Sequence, residues 1–186
     1  MTLGPIIDVS SNQAHPIDWA EVKKAGVAGV ILKATQGLGY TNPFFERDLK
    51  GCNDNKIPVM AYHFAMFSNA VAEAEHFIRA AGARARVLDI ETSGNLAWAN
   101  EFLKTIHCHL GLVDDQTMLY GSASSLPRRG LISLRWVADY GVSTVSPPCA
   151  LWQFSETGEI AGIENEVDLS RWMGTPAQFD RFFGAA

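Results

Sequence analysis

Cysteine is scarce in this sequence. Cys52, Cys108 and Cys149 are odd in number, far apart and without a Cys-x-x-Cys pair, so a disulfide framework, a zinc knuckle and a redox couple all lack a motif. Buried thiols are the expectation. Long apolar runs are missing too: none approaches the roughly 20 residues of a membrane span. Positive charge is short, 15 Lys and Arg against 20 Asp and Glu, for a net charge of −5. That balance sets aside a phosphate-tracking nucleic-acid binder. Arg79, Arg84, Arg86 and Arg128, Arg129, Arg135 cluster locally, and they read as solvated faces and loop ends. There is no low-complexity tract, no Pro/Gly/Ser linker and no internal repeat. The N-terminus shows no charged segment followed by an apolar stretch, so no classical signal peptide is read there.

What is present is the rhythm of one α/β domain over residues 1–186, a length that suits a single core. Short apolar runs alternate with capped amphipathic stretches. Strands are expected at Pro5–Val9, Gly29–Thr35, Pro58–Phe64 and Ala85–Glu91. Helices are expected from Asp18 to Lys24, from Asn42-Pro43 to about Asn53, from Ser68 or Asn69 to Gly82, and over Leu96–Leu110. Beyond Gly111 the helices thin out. Met118–Ser122, Leu134–Tyr140, Ala150–Ser155 and Glu166–Leu169 read as strands joined by loops, and Pro176–Phe183 as a closing helix or turn. The sum is an irregular barrel of about eight strands.

In such a barrel, polar residues at the carboxyl ends of strands are candidates for the active face. Four acids fall on strand ends behind apolar residues: Asp8, Asp89, Glu91 and Asp168. Carboxylates are depleted in strands and costly to bury unpaired, so four of them call for a function. Side chains two apart on a strand share a face, with Cα atoms about 6.6 Å apart. Asp89 and Glu91 should therefore both point into the mouth while Ile90 packs outward. Crowded carboxylates resist joint ionisation, and the longer Glu91, nearer the rim, is the expected holder of a proton for a glycosidic oxygen. Aromatic faces suit the C–H faces of sugars. Tyr62 with Phe64, Tyr120, Trp136 with Tyr140, and Trp152 lie in or just after strands.

Several blocks then become recognisable in order: Asp8-Val9-Ser10-Ser11-Asn12-Gln13, Ile17-Asp18-Trp19, Lys33-Ala34-Thr35-Gln36-Gly37, Tyr62-His63-Phe64, Asp89-Ile90-Glu91, Trp136-Val137-Ala138-Asp139-Tyr140, Trp152-Gln153-Phe154 and Val167-Asp168-Leu169. Together they resemble glycoside hydrolase family 25, the lysozymes or N-acetylmuramidases of phage endolysins, bacteria and some fungi. The resemblance implies a flattened TIM-like barrel of about five β/α units followed by three strands. It implies cleavage of the β-1,4 bond between N-acetylmuramic acid and N-acetylglucosamine in the peptidoglycan glycan strand. By matching position, Glu91 resembles the acid/base, and Asp8, Asp89 and Asp168 resemble the supporting aspartates. Gln36, Tyr62, Phe64, Tyr120, Trp136, Tyr140 and Gln153 are the expected substrate contacts. No metal or other cofactor, no membrane and no separate wall-binding module is expected, and the enzyme is read as a monomer acting on the bacterial wall, released by a holin-dependent route or from a trimmed chain. One residue departs from the pattern: the family's usual Lys-Ala-Thr-Glu-Gly has glutamine at Gln36 here, which removes a negative charge near the mouth.

Two rivals stand beside this reading. A metal-dependent hydrolase would draw on His63 with Asp8, Asp89 and Asp168. A glycan-binding module without turnover has the neutral Gln36 in its favour. Gly37-Leu38-Gly39 is too weak for a nucleotide loop and reads as a turn.

Overall fold

Strands of alternating or continuous apolar character, tied to capped helices, close here into a barrel. The computed structural model describes residues 3–91, 95–127 and 129–184. Its strands are β1 (Ile6–Val9), β2 (Gly29–Gln36), β3 (Tyr40–Thr41), β4 (Val59–Phe64), β5 (Ala85–Asp89), β6 (Met118–Ser122), β7 (Leu134–Ala138), β8 (Leu151–Gly158) and β9 (Val167–Trp172). The ladder runs β1-β9-β8-β7-β6-β5-β4-β2, and β1 also pairs with β2, which closes eight strands into a ring. All neighbours are parallel except β9, which lies antiparallel to both β8 and β1. The short β3 folds back on the end of β2 through a turn at Gly37, whose φ of 51° suits glycine.

Helices cover the outside. Asp18 caps α1 (Trp19–Lys24) by accepting from the Ala20 and Glu21 N–H groups, and Asn69 and Asn95 do the same for α3 (Ala70–Ala81) and α4 (Leu96–Leu110). Gly111, in the left-handed conformation, stops α4. α2 (Phe45–Asp54) starts two residues after Pro43 and has no side-chain cap of its own. β6 joins β7 through turns, because residues 123–133 carry serines, a proline and a glycine with no helical spacing of apolar residues. Among the described residues, α-helical cover thus ends with α4 and, after one 3₁₀ turn at Asp114–Gln116, returns at Pro176–Phe183.

Alternation builds the inside in layers. Ile6, Ile31, Met60, Val87, Met118, Trp136 and Leu151 form one buried cluster, a residue from each of seven strands. Below it sits α5 (Pro176–Phe183), held by a capping box between Thr175 and Gln178, with Phe182 and Phe183 packed into the same cluster. The phenylalanines therefore plug the barrel floor. Two residues further along the strands lie Asp8, Lys33, Tyr62, Asp89 and Tyr120, and two further still lie Ser10, Phe64 and Glu91; all of these line one cleft. The apolar floor gives way to a charged and aromatic mouth within a single step of the pleat.

Several boundaries differ from the sequence reading. β5 ends at Asp89, not Glu91, although the Ile90 N–H still donates to the Tyr120 carbonyl at 3.0 Å, so the alternation persists one step past the strand. β7 ends at Ala138, short of Tyr140, while β8 and β9 run on to Gly158 and Trp172 as a long hairpin. Cys52 is buried as expected, but Cys108 is exposed on α4. Arg86 is buried rather than solvated, its guanidinium donating to the Ala83 and Gln116 carbonyls, and Arg84 donates to the Val59 carbonyl. Arg128 lies outside the described residues.

Phe182→Ala should empty the floor of the barrel and lower stability by about 3–5 kcal/mol, read as a shift in urea unfolding.

Candidate active site

The cleft at the carboxyl end of the barrel encloses about 290 Å³ and takes in all four predicted acids, Asp8, Asp89, Glu91 and Asp168. Closure of the barrel sets the first pair. Asp8 of β1 stands directly opposite Asp168 of β9 in the antiparallel ladder. Burial raises the proton affinity of both, and the neighbouring Asp168 charge raises that of Asp8 further. A hydrogen bond between the two carboxyls favours one shared proton, held on Asp8. The Gln153 amide donates to Asp8 Oδ2 at 3.0 Å, while its carbonyl accepts from the Tyr120 and Tyr140 hydroxyls at 2.8 and 2.5 Å.

Asp89 and Glu91 share the cleft wall, and Ile90 between them is buried in the outer core. Asp89 is 6% exposed, and its Oδ1 has no hydrogen-bond partner among the described residues. Burial first, then the Glu91 charge, raises its pKa well above the usual carboxylate value, while Lys33 pulls the other way. Desolvation therefore falls on Asp89, not on Glu91 as the sequence suggested: Glu91 lies past the strand and is exposed.

The aromatic candidates separate by face. Tyr62, Phe64, Tyr120 and Trp136 line the cleft, with Trp136 edge-on to Tyr120 at 4.6 Å and its ring N–H fixed to Ser170 Oγ at 3.0 Å. Tyr140 is exposed and reaches the site through Gln153, and burial of its hydroxyl with the nearby Asp168 charge pushes its pKa up to about 12. Gln153 itself is 1% exposed and lies behind the acids rather than on the wall. Trp152 faces away, its ring N–H donating to the Asp139 carbonyl.

A register shift between Lys33 and Thr35 places Gln36. Lys33 pairs with Tyr62, but Thr35 pairs with His63 and Gln36 with Phe64. The irregularity turns Thr35 outward and brings Gln36 to the rim, where its carbonyl accepts from Lys33 Nζ at 2.8 Å. Lys33 also sits 4.9 Å over the Phe64 ring and lines the cleft. Lys33 and the loop residues Ser10, Asn12 and Gln13 belong to the recognised blocks but were not among the expected site residues. A lysine amid the apolar residues of β2 and a polar run directly after β1 are the signals that point to them.

His63 does not join the acids. It alternates away from Tyr62 and Phe64 into the layer beneath α3, fully buried against Phe77 and Phe102. Its Nδ1 accepts from the Thr35 hydroxyl at 2.8 Å and its Nε2–H donates to Glu73 at 2.9 Å. The metal-hydrolase reading thereby loses its nitrogen ligand. Burial would raise the Glu73 carboxyl, but His63, the Ser68 hydroxyl and the Met66 and Ser68 N–H groups outweigh it and hold the group at about 2 against its usual 4.5.

Carboxylates massed at the open end of an α/β barrel, with aromatic faces on the same wall, define the class: a hydrolase of glycosidic bonds. The family model for the glycosyl hydrolases family 25 matches residues 7–163, and the chain belongs to that family. It is 29% identical to Lysozyme M1 of Streptomyces globisporus, over 95% of this chain and 72% of that protein. It is 25% identical to the autolytic lysozyme of Clostridium acetobutylicum, over 89% of this chain and 55% of the relative. The crystal structure of a bacterial lysozyme from Streptomyces coelicolor superposes with a TM-score of 0.81 at 29% identity, covering 98% of each chain.

The buried Glu73 supplies stability that is fully present above its unfolded pKa of 4.5 and is lost as pH falls through about 2. Glu73→Gln should cost on the order of 2 kcal/mol at neutral pH, and the gap to the parent should narrow as pH is lowered across that window. Urea midpoints taken at several pH values measure it; a gap independent of pH would contradict the assignment.

Proposed function

We propose that this protein is a lysozyme that cleaves the β-1,4 bond between N-acetylmuramic acid and N-acetylglucosamine in peptidoglycan, with Glu91 as general acid and base and the substrate's own acetamide as nucleophile. The observation that carries the reading is the buried, unpartnered Oδ1 of Asp89 on the same wall as the exposed Glu91. A buried carboxylate oxygen without a donor is costly, and an acetamide N–H entering the cleft satisfies it.

The chemistry follows. Glu91 gives its proton to the glycosidic oxygen as the bond to the anomeric carbon breaks, and the acetamide carbonyl oxygen attacks that carbon. Asp89 accepts the acetamide N–H and so stabilises the positive charge that develops on the cyclic intermediate. Water, giving its proton to the Glu91 carboxylate, then opens the ring with retention. Asp8, held by the Gln153 amide, and Asp168 share one proton and form a polar wall of reduced negative charge. Tyr62, Phe64, Tyr120 and Trp136 offer faces for the sugar rings. The names of the relatives, which include lysozymes and an N,O-diacetylmuramidase of Chalaropsis, support the substrate class. No helix among the described residues is long and apolar enough to cross a membrane.

Glu91→Gln should lower release of reducing ends from purified peptidoglycan by about 10²- to 10⁴-fold while leaving the fold and wall binding intact. Equal turnover in that variant would overturn the assignment. Mass spectrometry of trapped enzyme should find no glycosyl adduct on Asp89 or Asp168; such an adduct would replace the acetamide as nucleophile. The binding-only alternative is rejected by any measurable release of reducing ends from the parent protein.

A further inference from the structure

The mouth holds four acids and, among the described residues of its wall, one cation, Lys33. Lys33 sits between groups of opposite demand. Asp89 at the end of β5 and Glu91 just past it line the same cleft, Tyr62 is its register partner on β4, the Tyr40 ring of β3 lies 5.7 Å from its Nζ, and His63 lies on the outward side of β4. The Phe64 face at 4.9 Å fixes the ammonium in place. The atom bonded to it, Gln36 Oε1 at 2.8 Å, carries no charge, so the positive charge of Lys33 is directed by an amide without being cancelled. Partial burial strengthens its field at the nearby carboxylates.

We propose that Lys33 is a positioning residue for the reaction: as the cation on the cleft wall, its charge left uncancelled by Gln36, it favours the carboxylate form of Asp89 that accepts the substrate's acetamide N–H. The inference rests on the lysozyme reading above. Burial and Glu91 both favour a proton on Asp89, and Lys33 is the neighbour that opposes them. Glutamate at position 36 would place an anion against the ammonium and divert its field. Gln36 is thus the residue that sets the acid side of the working range, and its neutrality is a functional setting of this chain.

The test is the pH dependence of reducing-end release from purified peptidoglycan by the whole protein and by Lys33→Met, Lys33→Arg and Gln36→Glu. Lys33→Met should move the acid limb of the profile up, on the order of one pH unit, the size by which a nearby opposite charge can shift a carboxyl. Gln36→Glu should move it the same way by less, and Lys33→Arg should leave it in place. A Lys33→Met variant whose rate drops equally at every pH, with the limb unmoved, would reduce Lys33 to a packing role. If that variant does not fold, Gln36→Glu decides alone, and an unmoved limb there overturns the proposal. A parent protein that releases no reducing ends would defeat the lysozyme reading instead, which separates the two failures.

Discussion

Closure of the barrel through β1 is the constraint on which the site depends. β1 must pair with β2 on one side and β9 on the other, and the register of those two ladders is fixed by keeping Ile6 inside with Ile31. A slip of one residue would send Ile6 outward and bury Ile7 and Val9 in the mouth. Because β9 runs antiparallel, Asp168 arrives at the seam from the opposite chain direction and lands against Asp8. The pair is therefore a product of topology as much as of residue choice. The hydrophobic floor that holds the register and the carboxylates that do the chemistry are successive layers of one pleated ring.

That arrangement concentrates electrostatic stress in a small volume. Three aspartates sit where burial favours the neutral form, and the fold answers each differently. Asp8 and Asp168 stand against each other in a pairing that favours one proton between them, and Asp8 accepts from the Gln153 amide, whose carbonyl is fixed from behind by two tyrosine hydroxyls. Asp89 has no such partner at Oδ1 and faces Lys33 and Glu91 instead. A satisfied pair and an unsatisfied single carboxylate, side by side, distinguish a wall that is rigid from a contact that waits for substrate.

Much of this was legible from residue order. The alternation at Asp89-Ile90-Glu91, the strand-end positions of Asp8 and Asp168, the cap at Asp18 and the helix start at Ser68 or Asn69 all carry local physical signals, and the architecture follows from them; the Asn95 cap came only with the structure. The irregularity in β2 was not legible, since no glycine or proline marks it; only the register against β4 shows that Thr35 leaves the mouth and Gln36 enters the rim. The burial of Gln153 was hidden for a similar reason. A glutamine in a strand reads as a contact for sugar, whereas its neighbours across the ring, 145 positions away at Asp8, turn it into a support. Exposure of Glu91 likewise depends on where β5 stops, and strand ends are the least determined part of any sequence pattern.

The long β8–β9 hairpin has a further consequence. Residues 159–166 at its tip rise on the mouth side because β9 runs back down, and they clasp the loop after β1. Asn165 bonds Ala14 and Asn12, Gln13 reaches the Glu166 carbonyl, and the Gly162 carbonyl takes the Asp18 N–H. Residues of the two segments, 151 to 153 positions apart, thus brace one bank of the trough above the acids. Lengthening or recharging that tip would alter how far a polymer can lie along the trough and which decorations it admits, and would leave the floor, the seam and the proton shared across it untouched.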